Sequence, residues 1–179
     1  MSKKKPNVLI RRALATEADE IARLNNYFAE QAKMLRRTPE MIGMAIDDYV
    51  VAVDDHGRIL GIGALKEYSP SIAEVAAIAV SPSAQGLGLG RRIVDAVESL
   101  ARKRGVPEVF ALTMEPQFFE ALGYQRVDRA RYPEKIRRDC IGCSRRLCVT
   151  TSRTISGLTP TISRRLSQHG RRTSKGLPW

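Results

Sequence analysis

The sequence has 179 residues, of which 43% are hydrophobic, 6% aromatic and 27% charged. That length is enough for one compact domain and too short for two well-built ones. No apolar run approaches the roughly 18 residues that a membrane span needs, and the stretch after the basic start MSKKKP is too short and too charged for a secretory signal. We therefore expect a soluble, cytoplasmic protein.

The formal net charge of +11 is unevenly distributed. Residues 1–139 carry 22 Lys and Arg residues and all 19 Asp and Glu residues, whereas residues 140–179 carry 8 Lys and Arg residues and no acid. From Val149 onward the chain is rich in Ser, Thr and Arg, and its apolar residues follow no sustained period, so we do not expect it to order itself. The sequence predicts a folded domain at 1–139 and a cysteine-containing basic tail at 140–179.

The first part of the domain alternates between the periods of strands and helices. A strand is predicted at Val8–Leu14, and a helix is predicted to start at Thr16, with an acid three residues later in a capping-box position. A second helix starts at Thr38-Pro39, where the hydroxyl can cap it, and ends near Ile46. Two strands joined by a polar connector then form an antiparallel hairpin, Tyr49–Asp54 and Ile59–Lys66.

The second part begins with Ala73–Val80, a strand rich in small and β-branched residues. A helix follows a glycine-rich loop and ends at Gly105, with basic residues in its last turn. Next come a strand, a short helix and a last strand: Val109–Thr113, Pro116–Leu122 and Tyr124–Val127. The order β-α-α-β-β-β-α-β-α-β predicts an α+β domain, with a mixed, mostly antiparallel sheet flanked by helices and one crossover near its middle.

The most informative segment is the loop at 80–92, VSPSAQGLGLGRR. Its glycines, Gly86, Gly88 and Gly90, remove Cβ bulk, and the helix begins at once, so several backbone N–H groups lack intrahelical partners. Such donors at the positive end of a helix dipole form a cradle for an anion such as pyrophosphate, and the arginines at 91–92 add charge. The loop lacks the Gly-Lys-Ser/Thr ending of a nucleoside-triphosphate loop, and a plain tight connection is the alternative.

The segment Gln85–Gly90, after a strand that ends at Val80, matches the Q/R-x-x-G-x-G/A signature of the GCN5-related N-acetyltransferases. The chain resembles this family and its acyl-CoA N-acyltransferase fold over about residues 7–130. The resemblance implies that acetyl-CoA binds along a strand edge that splays from Val109–Thr113, with its pyrophosphate on the amides of the loop. The implied cofactor-binding residues are Ile78, Ala79, Val80, Gln85, Gly86, Leu87, Gly88, Leu89, Gly90 and Arg91.

Further segments resemble the short, single-domain N-acetylglutamate synthases of arginine biosynthesis, over about residues 8–148. They are Glu30–Thr38, Gly61–Leu65, Ala73–Val75, Val109–Thr113, Phe118–Tyr124 and Pro133–Cys140. This resemblance implies acetyl transfer from acetyl-CoA to the α-amine of L-glutamate. It also implies that Arg37, helped by Lys66, binds a glutamate carboxylate, although plain surface placement is the alternative for both residues.

Direct transfer to an amino acid needs a base, because an ammonium group is not nucleophilic. We predict that Glu74 is this base, since it is an acid in an apolar strand beside the thioester; a surface ion pair is the alternative. The family implies a backbone amide near Ile78 or Ala79 for the developing oxyanion. Many relatives carry a Tyr as general acid where this sequence has Phe119, so the acid is unassigned; solvent or Ser81 are substitutes, and Tyr124 is at a different register.

Cys140, Cys143 and Cys148 show the first half of a zinc-site spacing, but a fourth ligand is missing nearby. We predict free thiols and no metal, with structural zinc as the alternative. His56, in a turn, and His169, in the tail, receive no role. Tyr27 either lines the acceptor pocket or belongs to the core.

Two other functions stay open. One is an acetyltransferase of the same family that acts on another amino acid, a small amine or a protein N-terminus. The other is a non-enzymatic binding module whose basic tail attracts nucleic acid nonspecifically. The expected partners are acetyl-CoA and L-glutamate, without a membrane; a homodimer stays open.

Overall fold

The computed structural model describes residues 7–140, without the side chain of Cys140, and residues 148–155. In these ranges the strands form one sheet in the order β1-β2-β3-β4-β5-β7-β6. The strands are β1 (Val8–Arg12), β2 (Tyr49–Asp54), β3 (Ile59–Ser69), β4 (Ile72–Val80), β5 (Glu108–Thr113), β6 (Gln125–Arg126) and β7 (Val149–Thr154). The helices are α1 (Ala18–Glu30), α2 (Pro39–Met44), α3 (Leu89–Lys103), α4 (Pro116–Glu120) and α5 (Pro133–Lys135), and a π-helical turn follows at Ile136–Cys140. None of the described helices has both the length and the apolar character that a membrane crossing requires.

The predicted α+β architecture is confirmed. Neighbouring strands are antiparallel except β4 and β5, which are parallel and are joined by the crossover through α3. Helix α3 packs on one face of the sheet, and α1 and α2 pack on the other, so each face buries its own apolar core. Glycines on β3 let α3 approach closely: a Cβ at Gly63 would lie 2.5 Å from Cγ2 of Ile93.

Of the two predicted helix starts, the one at Thr38 is confirmed and the one at Thr16 is wrong. Thr38 caps α2 as predicted, because its hydroxyl accepts a hydrogen bond from the Met41 N–H at 3.3 Å. The predicted start at Thr16 was wrong: a 3-10 turn precedes α1, and the Glu17 carboxylate accepts from the Leu14 N–H at 2.7 Å. The Arg11 guanidinium on β1 lies 2.6 Å from the Glu17 carboxylate, so this carboxylate is bound to the strand.

Strand β7 corrects the predicted domain boundary at residue 139. It lies between β5 and β6 and pairs along its whole length with β5, so the chain from Val149 to Thr154 belongs to the fold. Its Ser/Thr-rich composition was misleading because backbone ladder bonds on both edges order a strand even where its side chains are polar. Residues 156–179, the larger part of the predicted tail, lie outside the described residues.

Strands β4 and β5 pair only at their beginnings. The register joins Ile72 to Glu108 and Glu74 to Phe110, and no further pair follows. Just beyond, β4 gains one residue on β3 between Ala76 and Ala79, and Ala77 in this bulge has a φ of 54°. A bulge bends a strand and increases its twist, so the rest of β4 diverges from β5 and a cleft opens between them.

Candidate active site

The divergence of β4 and β5 creates a cleft of about 730 Å³. Val75–Val80 of β4 and Ala111–Thr113 of β5 line it, and residues of the α1–α2 connection close its far side. Glu74 lies at the end where the strands still pair, and Val80 lies at the open end beside the loop before α3. The splayed strand edge that the family resemblance implied is therefore present.

The loop before α3, residues 81–88, is called the glycine loop below. Gly86 and Gly88 have φ values of 79° and 74°, and α3 begins directly after them. The Arg92 N–H bonds back to the Gly88 carbonyl, but within the described chain no hydrogen bond uses the N–H groups of residues 86–91. A row of unpaired donors thus stands at the positive end of α3.

Open space lies next to Gly86 and Gly88. A Cβ placed on Gly86 or Gly88 would meet no atom within 4 Å, so it is the left-handed φ, not crowding, that selects glycine there. Arg91 is exposed next to the loop. The expectation that Arg92 adds charge beside it was wrong, because that guanidinium donates to the Val8 carbonyl of β1 at 2.7 Å.

The side chains of residues 85–90 differ in how far they are buried. Leu89 is buried in the core beneath α3, Leu87 is partly buried against that core, and a Cβ on Gly90 would lie 3.3 Å from the Phe118 ring. Gln85 is exposed and donates from Nε2 to the Val80 carbonyl at 3.4 Å. The coenzyme contacts implied for these positions would therefore be made mainly by their backbone.

The edge of β4 also presents backbone groups to the cleft. The Ser81 N–H donates to the Leu60 carbonyl at 2.8 Å, and Ala79 is the register partner of Ile62. Since antiparallel strands alternate between hydrogen-bonded and non-bonded pairs, Val80 turns its amide and carbonyl away from β3. Ile78 lies in the bulge, where this alternation is interrupted, and it lines the cleft together with Ala79.

Glu74 belongs to a group of side chains that we call the charged cluster: Lys66, Tyr68, Glu74, Lys135 and Asp139. Nζ of Lys135 lies 2.8 Å from Oε2 of Glu74 and 3.1 Å from Oδ2 of Asp139. Nζ of Lys66 lies 2.6 Å from the same Asp139 oxygen. The Tyr68 hydroxyl lies 3.0 Å from Oε2 of Glu74 and also bonds to Asp139. Two cations and two carboxylates thus balance beside the cleft.

Three members of the charged cluster have shifted pKa values, and each keeps its usual protonation state at neutral pH. They are Lys135, Asp139 and Tyr68. Burial favours neutral Lys135, but the carboxylates of Glu74 and Asp139 outweigh it and raise the Lys135 pKa. Burial likewise favours neutral Asp139, but bonds from Lys66, Tyr68 and Lys135 hold its pKa well below the usual range. Burial and the two carboxylates raise the pKa of Tyr68 far above its ordinary value, so this hydroxyl remains a donor.

Arg37 lies on the far wall of the cleft, on a connection held by two asparagines. The Asn26 side chain accepts from the Arg37 N–H at 2.9 Å and donates to its carbonyl at 2.8 Å, and the buried Asn25 donates to the Leu35 carbonyl at 2.9 Å. Burial raises the pKa of the neighbouring Tyr49, and the charge of Arg37 partly offsets this. In the described ranges, the Arg37 side chain has no ion pair or hydrogen bond of its own.

Lys66 differs from Arg37 because its ammonium is already engaged by Asp139. Tyr27 neither lines the cleft nor joins the core: it is 47% exposed and packs edge-on against Phe28, which lines the cleft instead. Sequence reasoning missed Tyr68, Lys135 and Asp139. The spacing of four residues between Lys135 and Asp139, which puts both on one face of a helical turn, is the signal that was available.

Three residues were considered in connection with the general acid: Phe119, Tyr124 and Ser81. Phe119 is buried and packs against Tyr124 with a ring-centroid distance of 5.2 Å. The buried Tyr124 hydroxyl donates to Oε1 of Glu98 at 2.9 Å, away from the cleft. The Ser81 hydroxyl lies 3.0 Å from that of Ser83.

Of the cysteines, Cys148 lines the cleft, whereas Cys143 and the side chain of Cys140 lie outside the described residues. The residues that are described contain no group of three or more His, Cys, Asp or Glu side chains arranged for a metal ion. His56 lies in the β2–β3 turn, where its N–H donates to the Asp54 carboxylate, and His169 is outside the described ranges.

Comparisons with known proteins agree with this geometry. The chain matches the Acetyltransferase (GNAT) family over residues 15–124. It is 35% identical to a Chlorobaculum tepidum protein described as an uncharacterised N-acetyltransferase, over 77% of this chain and 88% of the relative. It is 33% identical to the amino-acid acetyltransferase of Neisseria meningitidis, over 74% of this chain and 30% of that protein. It is 30% identical to the amino-acid acetyltransferase of Mycobacterium tuberculosis, over 67% and 70% of the two chains.

Solved structures give the same result. N-acetylglutamate synthase from Neisseria gonorrhoeae, complexed with coenzyme A and N-acetyl-glutamate, matches with a TM-score of 0.78 and 30% identity, over 85% of this chain and 36% of that one. A Mycobacterium tuberculosis protein solved with coenzyme A matches with a TM-score of 0.70 and 25% identity, over 82% and 98%. The chain thus spans about a third of the Neisseria proteins. Splayed strands, unpaired loop amides and these matches together establish that the chain belongs to the GCN5-related N-acetyltransferase (GNAT) family.

Proposed function

We propose that this acetyltransferase moves the acetyl group of acetyl-CoA to the α-amine of L-glutamate, the first step of arginine biosynthesis. The observation that carries the proposal is that the cleft lined by Glu74 and Arg37 extends to Gln85 and Gly90, beside the loop amides at residues 86–91. Within the described residues, neither these amides nor the Arg37 guanidinium has a hydrogen-bond partner. The amides, Glu74 and Arg37 suit a pyrophosphate, an ammonium proton and a substrate carboxylate, respectively.

Coenzyme binding follows from the backbone. The amides at 86–91 would take the pyrophosphate, as a helix N-terminus with free donors does. The pantetheine would add to the exposed edge of β4 at Ile78 and Val80, as an extended ligand adds to a sheet edge. The relatives solved with coenzyme A support this assignment.

Glu74 is proposed as the general base. Both of its hydrogen bonds, from Tyr68 and from Lys135, end on Oε2, and within the described chain Oε1 has no partner. The Glu74 side chain lines the cleft and keeps 7% of its surface exposed. One carboxylate oxygen is therefore held in place while the other is available for the proton of the substrate ammonium, directly or through one water.

The chemical step is a single displacement. The neutral amine attacks the thioester carbonyl, the C–N bond forms, and the oxygen gains charge that the Ile78 N–H would stabilise. The nitrogen of the intermediate gives its remaining extra proton to water. The intermediate then collapses, the C–S bond breaks, and coenzyme A leaves as a thiolate that takes a proton from solvent. Glu74 releases the ammonium proton to water as the product leaves.

Arg37 is proposed as the ligand of a glutamate carboxylate, because a planar guanidinium can bond both carboxylate oxygens. Lys66, its predicted helper, would first have to leave Asp139, so Arg37 carries this role in the proposal. The positive wall also disfavours a polyamine, whose cationic groups it repels. The names of the related amino-acid acetyltransferases support an amino-acid acceptor.

A thiol-release assay with acetyl-CoA across amino acids and polyamines tests the acceptor. We expect glutamate to give the highest kcat/KM. Arg37→Gln should raise the KM for glutamate roughly 10- to 100-fold, the equivalent of one lost charge-assisted bond, with little change for acetyl-CoA. The matched control is Arg36→Gln, since Arg36 is exposed and, among the described residues, its one ion pair is with Glu30, at 3.9 Å. Equal rates for all acceptors, or equal effects of the two substitutions, would remove the glutamate assignment.

A further inference from the structure

The segment that carries Lys135 is anchored at the point where β4 and β5 still pair. The buried ring of Tyr132 stacks on Phe110 at a centroid distance of 4.0 Å and an angle of 14°. Its hydroxyl donates to Oε1 of Glu108 at 2.7 Å, and Arg131 pairs with the same carboxylate. Phe110 is the register partner of Glu74 across the β4–β5 pair. The start of α5 is therefore fixed to the strand residue beside Glu74.

Lys135 projects from this anchor into the interior. The residue is only 7% exposed, and its ammonium contacts Glu74, which is 5% exposed. The nearby exposed pair of Arg137 and Glu134, at 3.5 Å on the same segment, has no such burial. A lysine that gives up this much hydration needs close carboxylates in return, and it meets two.

Lys135 can bond Glu74 and Asp139 at the same time, whereas Tyr68 cannot. The Tyr68 hydroxyl has a single hydrogen but lies against both carboxylates. When that hydrogen is donated to Asp139, Oε2 of Glu74 depends on the Lys135 ammonium at 2.8 Å. The ammonium has donors for both carboxylates at once.

We propose that Lys135 is a positioning residue for the general base: it holds Oε2 of Glu74 so that Oε1 stays available to the acceptor amine. The inference rests on the proposed function, because it needs Glu74 to act as the base. Lys135 itself touches no substrate in this scheme. It acts on the orientation of the carboxylate and on the charge around it.

The surroundings of Glu74 set the direction of the pH effect. The groups that face it are Lys66 and Tyr68 from β3, Lys135 from α5 and Asp139 from the π-helical turn, while β5 contributes the uncharged Phe110. Arg138 adds a guanidinium 5.2 Å from the centroid of the Tyr68 ring. Without Lys135, the carboxylates of Glu74 and Asp139 lose the ammonium that bonds both of them, and their mutual repulsion should increase. The acidic limb of the pH profile of activity should then move to higher pH.

The experiment compares Lys135→Met, Lys135→Arg and Arg137→Met, the last as a matched control on the same segment. For Lys135→Met we expect kcat to fall about tenfold or more, within the range that a displaced base gives. Its acidic limb of kcat/KM should move up by about one pH unit or more. Coenzyme A affinity should stay as in the wild type. Lys135→Arg should recover part of kcat and of the pH profile, and Arg137→Met should match the wild type.

A double variant, Lys135→Met with Asp139→Asn, covers the case in which the single variant does not fold, because it removes the uncompensated carboxylate. In the double variant, the acidic limb of the kcat/KM profile should return to its wild-type pH while kcat stays low. This result would separate the effect of Lys135 on the position of Glu74 from its effect on the surrounding charge. An unchanged kcat in folded Lys135→Met or in the folded double variant would overturn the proposal. If the wild type prefers another amine to glutamate, the proposed acceptor fails alone, and the same variants compared with that amine decide the role of Lys135.

Discussion

The two ends of the cleft are built on different principles. At the open end, the glycine loop offers backbone N–H groups that have no partner within the described chain. At the paired end, the charged cluster consists of side chains whose charges are matched to one another. The first end is specified by the conformation of a few consecutive residues, and the second by charges brought together from β3, β4 and the segment after Tyr132. Substitutions should therefore damage the first end through backbone angles or added charge, and the second through lost partners.

Gly88→Glu should break the glycine-loop end most severely. It puts a side chain at a φ of 74° and a carboxylate beside the amides that await a pyrophosphate. Like charges in contact cost several kcal/mol, so coenzyme A affinity should fall about a hundredfold or more, measured by titration calorimetry. Gly57→Glu, in the β2–β3 turn, is the control, since it has a φ of 77° and the same open space. Unchanged affinity in Gly88→Glu, or an equal loss in both variants, would contradict the assignment.

Glu74→Gln should break the opposite end without affecting the first. The amide keeps the shape of the side chain and an oxygen for Lys135 but cannot take a proton, so kcat should fall about a hundredfold or more while coenzyme A affinity is kept. Steady-state kinetics together with calorimetry give both values. Glu98→Gln is matched in burial, since Glu98 and Glu74 are each 5% exposed, and should retain kcat. A coenzyme affinity that falls together with kcat would mean that the two ends are not separable.

Asp139→Asn should sharpen the contrast through pH. Because the folded-state pKa of Asp139 is depressed, its carboxylate stabilises the fold above its unfolded pKa of about 3.9. That contribution disappears as the pH falls toward the lower folded-state value. The Tm of the variant should therefore lie below the wild-type Tm at pH 7, and the gap should stay nearly constant down to about pH 4 and narrow progressively only below that value.

Asp55→Asn, an exposed residue of the β2–β3 turn, is the control for this measurement and should show no such convergence. A gap between wild type and Asp139→Asn, followed by thermal unfolding, that stays constant from about pH 4 down to the most acidic pH at which both proteins still fold would mean that the carboxylate contributes through shape and not through charge.

The difference between the two ends also explains what could be predicted from the sequence. The glycine loop is a run of consecutive residues in which left-handed glycines and a helix start are visible as letters, and its unpaired amides were found where they were expected. The hairpin and the crossover through α3 were predicted correctly for the same reason, because each depends on local periodicity.

The charged cluster could be predicted only in part, because its members meet through tertiary structure. Glu74 and Lys66 were singled out as separate candidates, but nothing local indicates that Asp139, 73 residues after Lys66, would bind its ammonium. The cap at Thr16 was wrong because a competing contact from Arg11 to Glu17 crosses from a strand to a helix. The sequence did not predict that residues 149–154 form a strand, because a polar strand is stabilised by the strands beside it. The sequence does not show which strands these are.

The position of β7 between β5 and β6 has a consequence for how the protein is made. Strand β6 pairs with β7, and β7 also occupies the outer edge of β5. During synthesis, the sheet must therefore wait with an open hydrogen-bonding edge on β5 until residues 149–154 have left the ribosome. Until then the nascent chain presents an unpaired strand of the kind that recruits other chains. Because β7 is made last of the described strands, the sheet depends on translation continuing beyond residue 154.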